Sequence, residues 1–117
     1  MSNIIQDKSY AFAIRIVSAY KFLAEKKKEF VLSKQLLRCG TSIGANVEEA
    51  EGGISKKDFR AKMSIAYKEA RETSYWLRLL KDTNNLSIKF FDSMHADCQE
   101  LCKILYTIIK NSETSKQ

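Results

Sequence analysis

Four stretches of this sequence carry apolar residues at steps of three and four, and no proline interrupts any of them. That spacing places the apolar side chains on one face of an α-helix. Because proline breaks helices and is common at helix starts and in connections, a chain without proline favours long helices and short loops. We predict helices over about residues 4–27, 33–51, 56–82 and 88–110.

Helices of this length, joined by short connections, pack as an antiparallel up-down-up-down four-helix bundle. The chain has 117 residues, which is the size of one domain and enough to bury roughly two-thirds of its unfolded surface. We therefore predict a single all-α domain over residues 1–117. In the first helix, the predicted buried stripe includes Phe12, Ile16, Val17 and Leu23.

Two glycines lie one turn apart on the apolar face of the second predicted helix. Gly40 and Gly44 share this face with Leu36, Ile43 and Val47. A glycine inside a helix costs about 1 kcal/mol relative to alanine, so two of them on the buried side need a reason. We expect a neighbouring helix to approach closely at this point.

The predicted helix ends follow from residues that cap or break helices. Ser33 is the expected N-cap of the second helix, and Gly52-Gly53 is expected to end it in a left-handed conformation. Ser55 and Asp58 have the spacing of a capping box at the start of the third helix. The carboxylates of residues 48–51 have the wrong sign for a helix C-terminus, so we expect an ion pair with the third segment on the side that Glu48 and Glu51 share.

Basic residues are concentrated in two of the four segments. The formal net charge is +6 and the isoelectric point is near 9.3. Residues 1–28 carry six basic and two acidic side chains, and residues 55–81 carry eight and three. The other two segments are slightly acidic. Such a distribution favours anionic partners that meet the first and third helices.

The strongest candidate interface combines cations with flat side chains in the third segment, where Tyr67, Tyr75 and Trp76 alternate with arginines. Cations contact phosphates and aromatic rings stack on bases, so this pattern is typical of nucleic-acid binding. A solvated helix face with inward aromatics is the equally weighted alternative. The candidate binding residues are Lys26, Lys27, Lys28, Lys56, Lys57, Arg60, Arg71 and Arg78. The three consecutive lysines also suit a helix C-terminus, which attracts cations without any ligand.

No pattern in the sequence predicts catalysis. The single histidine, His95, lies one turn from Asp92, which is too little for a di-iron bundle, and we expect a partly exposed polar pair there. The chain lacks a phosphate-binding loop, a dinucleotide-binding glycine motif and a nucleophile elbow. We predict no catalytic, cofactor-binding or metal-ligating residues and no cofactor, and hence a protein that is not an enzyme.

The cysteines and the apolar runs bear on the compartment. Cys39, Cys98 and Cys102 are odd in number and contain no CxxC pair, so buried thiols are more consistent with the spacing than metal or redox sites. The longest charge-free run, residues 39–47, is too short to span a membrane, and the N-terminus lacks a signal peptide's apolar core. We expect a cytoplasmic protein with no membrane partner.

Several aromatic side chains fall outside or beside the apolar stripes, and one small bundle cannot bury all of them. An apolar surface left on a monomer usually marks an interface. We therefore expect a homo-oligomer with closed symmetry. The residues concerned are Tyr10, Phe30, Tyr75, Trp76, Phe90 and Tyr106.

The central part of the chain resembles a known family. The similar segments are Gln35-Leu36 with Arg38, residues 41–50, residues 55–59, residues 68–73 and residues 75–77. On these motifs the chain is identified as a member of the 23S rRNA intervening-sequence proteins, also labelled S23 ribosomal proteins. The resemblance implies an antiparallel four-helix bundle that assembles into a ring-like pentamer. It extends to the accessory protein of diversity-generating retroelements, for which a basic nucleic-acid-binding surface is expected.

The resemblance implies no catalytic residue. Our leading hypothesis is a non-enzymatic, oligomeric, basic helical bundle that binds RNA or DNA through phosphate contacts with low sequence specificity. The alternative is a protein-interaction or scaffold module without a nucleic-acid role. In that alternative, the basic faces pair with acidic residues of neighbouring chains, namely Glu48, Glu49, Glu51, Glu69 and Glu72.

Overall fold

Four helices form the part of the chain that the computed structural model describes, residues 3–114. They are α1 (Ile4–Glu25), α2 (Leu32–Glu51), α3 (Lys56–Asp82) and α4 (Ile88–Thr114). The all-α prediction is confirmed, while residues 1, 2 and 115–117 of the predicted domain lie outside the described residues. None of the helices described combines the length and the apolar character needed to cross a bilayer.

The helices pack as an up-down bundle around one core. α2 packs on α1 and on α3, α3 packs on α4, and the contact between α1 and α4 is less extensive. The molecule measures 50 × 25 × 20 Å, with its long axis set by the helices. Large side chains from all four helices fill the centre: Phe12, Ile16, Leu23, Leu36, Ile43, Val47, Met63, Leu77, Leu80, Met94, Leu101 and Leu105.

The glycines of α2 allow the close approach to α1 that their spacing predicts. A Cβ atom added to Gly40 would lie 2.7 Å from side-chain carbons of Ile16, which is fully buried. A Cβ atom on Gly44 would lie 3.3 Å from the backbone oxygen of Ser9. Glycine is therefore needed most at position 40, where Ile16 fills the space that a side chain would occupy.

The start of α2 differs from the prediction. The helix begins at Leu32, so Ser33 lies inside it and is not its N-cap. The N-cap residue is Val31, whose apolar side chain accepts no hydrogen bond. The carboxylate of Glu29 accepts hydrogen bonds from the backbone N–H groups of Val31, Leu32 and Ser33, at 3.2, 3.0 and 2.7 Å. Burial raises the pKa of Glu29, but the hydrogen bonds together lower it by more than burial raises it. The net effect is a pKa below the ordinary value of the carboxyl group. A charged carboxylate thus satisfies the free donors of the first turn.

The glycines after α2 serve a different purpose from the one predicted. Gly52 has a φ of −93°, so the left-handed conformation expected there is wrong. A Cβ atom on Gly53 would lie 2.8 Å from Oδ2 of Asp58 and 3.0 Å from the oxygen of Ala50, so this position needs a small residue. Ser55 is the N-cap of α3 as predicted, because its Oγ accepts a hydrogen bond from the N–H of Asp58, which is the serine half of the capping box.

The ends of α1 and α4 also differ from the prediction. α1 ends at Glu25 rather than Lys27, because Lys28 adopts a left-handed φ of 56° that turns the chain toward α2. α4 continues beyond Lys110 to Thr114, since the segment contains neither glycine nor proline and the hydroxyl of Ser112 donates to the oxygen of Ile108. Polar residues alone did not end this helix.

Ion pairs link the helices at the surface. An ion pair joins the end of α2 to α3, but it uses Glu49 rather than Glu48 or Glu51: Lys62 Nζ lies 2.8 Å from Glu49 Oε1. Arg38 joins α2 to Glu69 and Glu72 of α3. Across the α1–α4 contact the pairs are Lys8 with Glu100 and Arg15 with Asp97. Exposed pairs of this kind contribute little stability each, so apolar packing holds the bundle together.

We predict that Gly40→Ala destabilises the protein although alanine favours helices. Overpacking costs ~1–3 kcal/mol and helix propensity returns ~1 kcal/mol, so we expect a net loss of about 1 kcal/mol. Gly44→Ala is the matched control and should change the free energy of unfolding less. Urea unfolding of both variants measures the difference. Equal or increased stability for Gly40→Ala would contradict the close α1–α2 contact.

Candidate functional site

The eight candidate residues lie in three places on the bundle. Lys26, Lys27 and Lys28 follow α1 directly, while Lys56 and Lys57 begin α3. Because α1 and α3 run in the same direction, the end of α1 lies beside the end of α3, and Lys27 lines a groove there with Lys81. The first three lysines and the two at the start of α3 are thus at opposite ends of the long axis. They do not form one patch.

The third place is the side of α3 that faces α4, where two arginines lie over tyrosine rings. The guanidinium carbon of Arg71 is 5.9 Å from the ring centroid of Tyr67, and Arg71 Nη1 donates to the Tyr67 hydroxyl at 3.1 Å. Arg78 is likewise 5.9 Å from the ring centroid of Tyr75. We call Arg71, Arg78, Tyr67 and Tyr75 the arginine–tyrosine face. Tyr75 is exposed, whereas Tyr67 is half-buried and packs against the core, so the face combines positive charge with one exposed ring and one inward ring.

Arg60 lies on the same side of α3 but is engaged in the fold. Its Nη2 is 2.6 Å from Oε2 of Glu113, which ties the start of α3 to the end of α4. Its Nε is buried and has no hydrogen-bond partner within the described residues. The charge of Arg60 is largely neutralised by Glu113, so this side chain is less available to a phosphate than the other seven candidates.

The other candidates retain exposed charge. Within residues 3–114, no ion pair joins any of them to a carboxylate. An exposed cation without an internal partner can approach a phosphate without breaking an existing contact. The residues with this property are Lys26, Lys27, Lys28, Lys56, Lys57, Arg71 and Arg78.

Trp76 plays a structural part rather than a stacking part. Its Nε1 donates to Oε2 of Glu72 at 2.9 Å, and its ring meets Tyr75 edge-on with 5.0 Å between centroids. Glu72 also pairs with Arg38 of α2. The indole is therefore fixed between α2 and α3, and Tyr75 is the exposed ring of the two.

His95 links α3 to α4, which the sequence did not indicate. Its Nε2 shares a 2.8 Å hydrogen bond with Ser74 Oγ, and its ring stacks on Phe91 at 4.8 Å between centroids. The expected polar pair with Asp92 does not describe this contact. Burial lowers the pKa of His95, and the positive charges of Arg78 and Lys81 lower it further. Arg78 and Lys81 of α3 therefore lie near His95 of α4, and Asp92 opposes their effect.

The cysteines are buried thiols, as the spacing predicted. Burial raises the pKa of Cys39 to about 11, and the hydroxyl of Thr73 donates to its sulfur at 3.2 Å. The thiol of Cys98 donates to the carbonyl oxygen of Ala70 at 3.2 Å, which connects α4 to α3. All three sulfurs are free of disulfides. Cys39 and Cys98 act as packing groups in the core.

Comparison with known proteins identifies the family. The family model described as 23S rRNA-intervening sequence protein matches residues 1–107, so the chain belongs to this family. A crystal structure of a protein of unknown function from the S23 ribosomal protein family, from Bacteroides thetaiotaomicron, is 53% identical with a TM-score of 0.91. The similarity covers 92% of this chain and 96% of that chain. No curated protein matches the sequence.

We predict that His95 makes stability depend on pH in a defined direction. Its pKa is lower in the folded chain than the ordinary value of 6.5, so the unfolded chain binds more protons and stability falls as pH falls below that value. Thermal unfolding at about pH 7.5 and about pH 5.5 should show a larger loss for the native chain than for His95→Gln. Equal losses would show that His95 does not titrate differently on folding.

Proposed function

We propose that this 23S rRNA-intervening sequence protein is a non-enzymatic, oligomeric helical bundle that binds RNA or DNA with low sequence specificity. The observation that carries the proposal is the arginine–tyrosine face. Arg71 and Arg78 lack a carboxylate partner within the described residues, and each lies over a tyrosine ring. Such a surface can contact phosphates through its charges and bases through its rings.

The lysines at the two ends of the bundle extend the proposed contact. Lys26, Lys27 and Lys28 lie at one end, and Lys56 and Lys57 lie at the other. A nucleic acid that follows α3 from one end to the other would meet cations along about 40 Å, at 1.5 Å per residue of the 27-residue helix. Contacts of this kind are made to the backbone and carry little sequence information.

The scaffold alternative is weakened by the internal use of acidic residues. It requires glutamates that are free to pair with basic faces of neighbouring chains. Glu49 is paired with Lys62, and Glu69 and Glu72 are paired with Arg38 in the same chain. Glu51 accepts a hydrogen bond from the amide of Asn3 at 2.7 Å. Most of the carboxylates that a neighbouring chain would need already have a partner.

The exposed face of α1 supports a homo-oligomer. Tyr10 is 71% exposed and Ile14 is 56% exposed, and Val17, which the sequence placed in the buried stripe, is exposed beside them. Steps of four and three put these residues on one side of the helix, turned away from the core. We propose that another copy of the chain covers this side, and the family resemblance implies a pentamer. An oligomer would also repeat the basic surface and increase its avidity.

The histidine and the cysteines support a non-enzymatic role and a cytoplasmic location. His95 and the buried thiols of Cys39 and Cys98 have structural partners, which supports a role in packing rather than in catalysis. Free buried thiols are also typical of a reducing compartment, which supports a cytoplasmic location.

We predict that Arg71→Glu with Arg78→Glu weakens nucleic-acid binding by about tenfold or more, because it removes two phosphate contacts and adds repulsion. Lys103→Glu with Lys110→Glu on the exposed side of α4 makes the same change in net charge and is the matched control. Fluorescence anisotropy with a labelled RNA hairpin and a labelled DNA duplex measures both affinities. Oligomer mass is determined on the same samples.

The two pairs of substitutions separate a binding face from a general charge effect. A loss confined to the arginine pair, with oligomer mass unchanged, agrees with the proposal. Equal losses in both pairs would mean that net charge alone drives binding. A broken oligomer in the arginine variant would place this face in a contact between subunits and favour the scaffold alternative.

A further inference from the structure

An open groove lies at the end of the bundle where α1 and α3 finish. It has a volume of about 1020 Å³ and lies between the last turns of α1, the α3–α4 connection and the first turn of α4. Sequence reasoning missed it because the end of α1 is far in the chain from the α3–α4 connection and the start of α4. The arginine–tyrosine face is lined by other residues, so the groove is a separate surface.

The groove has an apolar floor and aromatic walls, and polar side chains of the α3–α4 connection complete its lining. Leu86 and Ala19 are buried at its floor, and Phe22 and Phe90 contribute aromatic walls. Phe22 is 46% exposed and Ile88 is 70% exposed, so apolar surface remains in contact with water. Covering this surface would release that water and favour binding of an apolar side chain.

The rim of the groove is positively charged. Lys27 is exposed, and within residues 3–114 it has no ion pair. Lys81 lies 4.4 Å from the ring centroid of Phe91, and its only carboxylate contact in the described chain is Asp82, at 3.6 Å. Lys26 and Lys28 flank Lys27 in sequence. Asp82 also lines the groove, so the charged residues of its lining are two lysines and one carboxylate, and Lys27 is the lysine without an ion pair in the described chain.

We propose that this groove binds an acidic amphipathic segment of a partner protein. The apolar side chains of the segment would occupy the space between Phe22, Leu86 and Phe90, and its carboxylates would face Lys27 and Lys81. Helices that dock in grooves place apolar residues at steps of three and four and keep charge on the other side. The sign of the charges on the rim selects an acidic segment.

The aliphatic floor distinguishes this occupant from nucleic acid. Phosphates offer nothing to fill an apolar interior, and bases stack best on exposed flat rings such as Tyr75. A groove that is open to solvent also covers less of a small molecule than an enclosed pocket would. A peptide segment fits both the apolar floor and the cationic rim.

The test uses a fluorescein-labelled peptide with leucines three and four positions apart and glutamates and alanines between them. A second peptide has the same residues in shuffled order, which keeps its charge and removes the apolar stripe. We expect the striped peptide to bind the full chain at least about tenfold more tightly than the shuffled one. Lys27→Glu with Ile88→Asp should reduce that affinity by about tenfold or more.

The matched control is Lys57→Glu with Ile54→Asp, at the opposite end of the bundle. Ile54 is 98% exposed, so the same two substitutions occur there without disturbing the core. The control should keep the affinity of the native chain. Equal binding of both peptides, or equal losses in both variants, would overturn the proposal. An altered oligomer mass in the groove variant would also overturn the proposal, since it identifies the groove as a contact between subunits.

Discussion

The close contact between α1 and α2 sets the geometry on which the rest of the bundle depends. Gly40 leaves room for the fully buried Ile16, and Gly44 brings α2 against the backbone of Ser9. With α1 and α2 this near, Leu36, Ile43 and Val47 reach the centre of the bundle, where they meet side chains of α3 and α4. A larger residue at position 40 would have to displace Ile16 from a packed interior, which rigid cores resist.

The side of α1 that faces α4 is less extensively packed than the side that faces α2. α1 and α4 meet along a short contact that includes the ion pairs Lys8–Glu100 and Arg15–Asp97. Where these two helices diverge, at the end of α1, the apolar groove opens. The side of α3 toward α4 instead carries cations above aromatic rings. The bundle therefore presents two chemically different surfaces, one that suits phosphates and one that suits apolar side chains with acidic neighbours.

The sequence was sufficient for the helices but not for the partners of individual side chains. Apolar spacing predicted the four helices, and the Ser55–Asp58 cap was found because both residues are close in sequence. Glu29 was missed because it lies before the N-cap residue Val31, and its carboxylate reaches forward to the N–H groups of residues 31–33. The partners of Arg60 and His95 lie on other helices, Glu113 and Ser74, and only packing reveals them. Charge density along α3 indicated the candidate face, but it could not show which cations are neutralised.

The proposed nucleic-acid contact depends on cations that have no carboxylate partner within residues 3–114 and are available to phosphates. Its most direct test is the affinity of the native protein for an RNA hairpin and a DNA duplex across a salt series, with oligomer mass determined on the same sample. Released counterions make the logarithm of the binding constant fall linearly with the logarithm of salt concentration, and several phosphate contacts give a steep slope. We predict such a slope. No binding at about 50 mM salt, from a well-formed oligomer, would contradict the account.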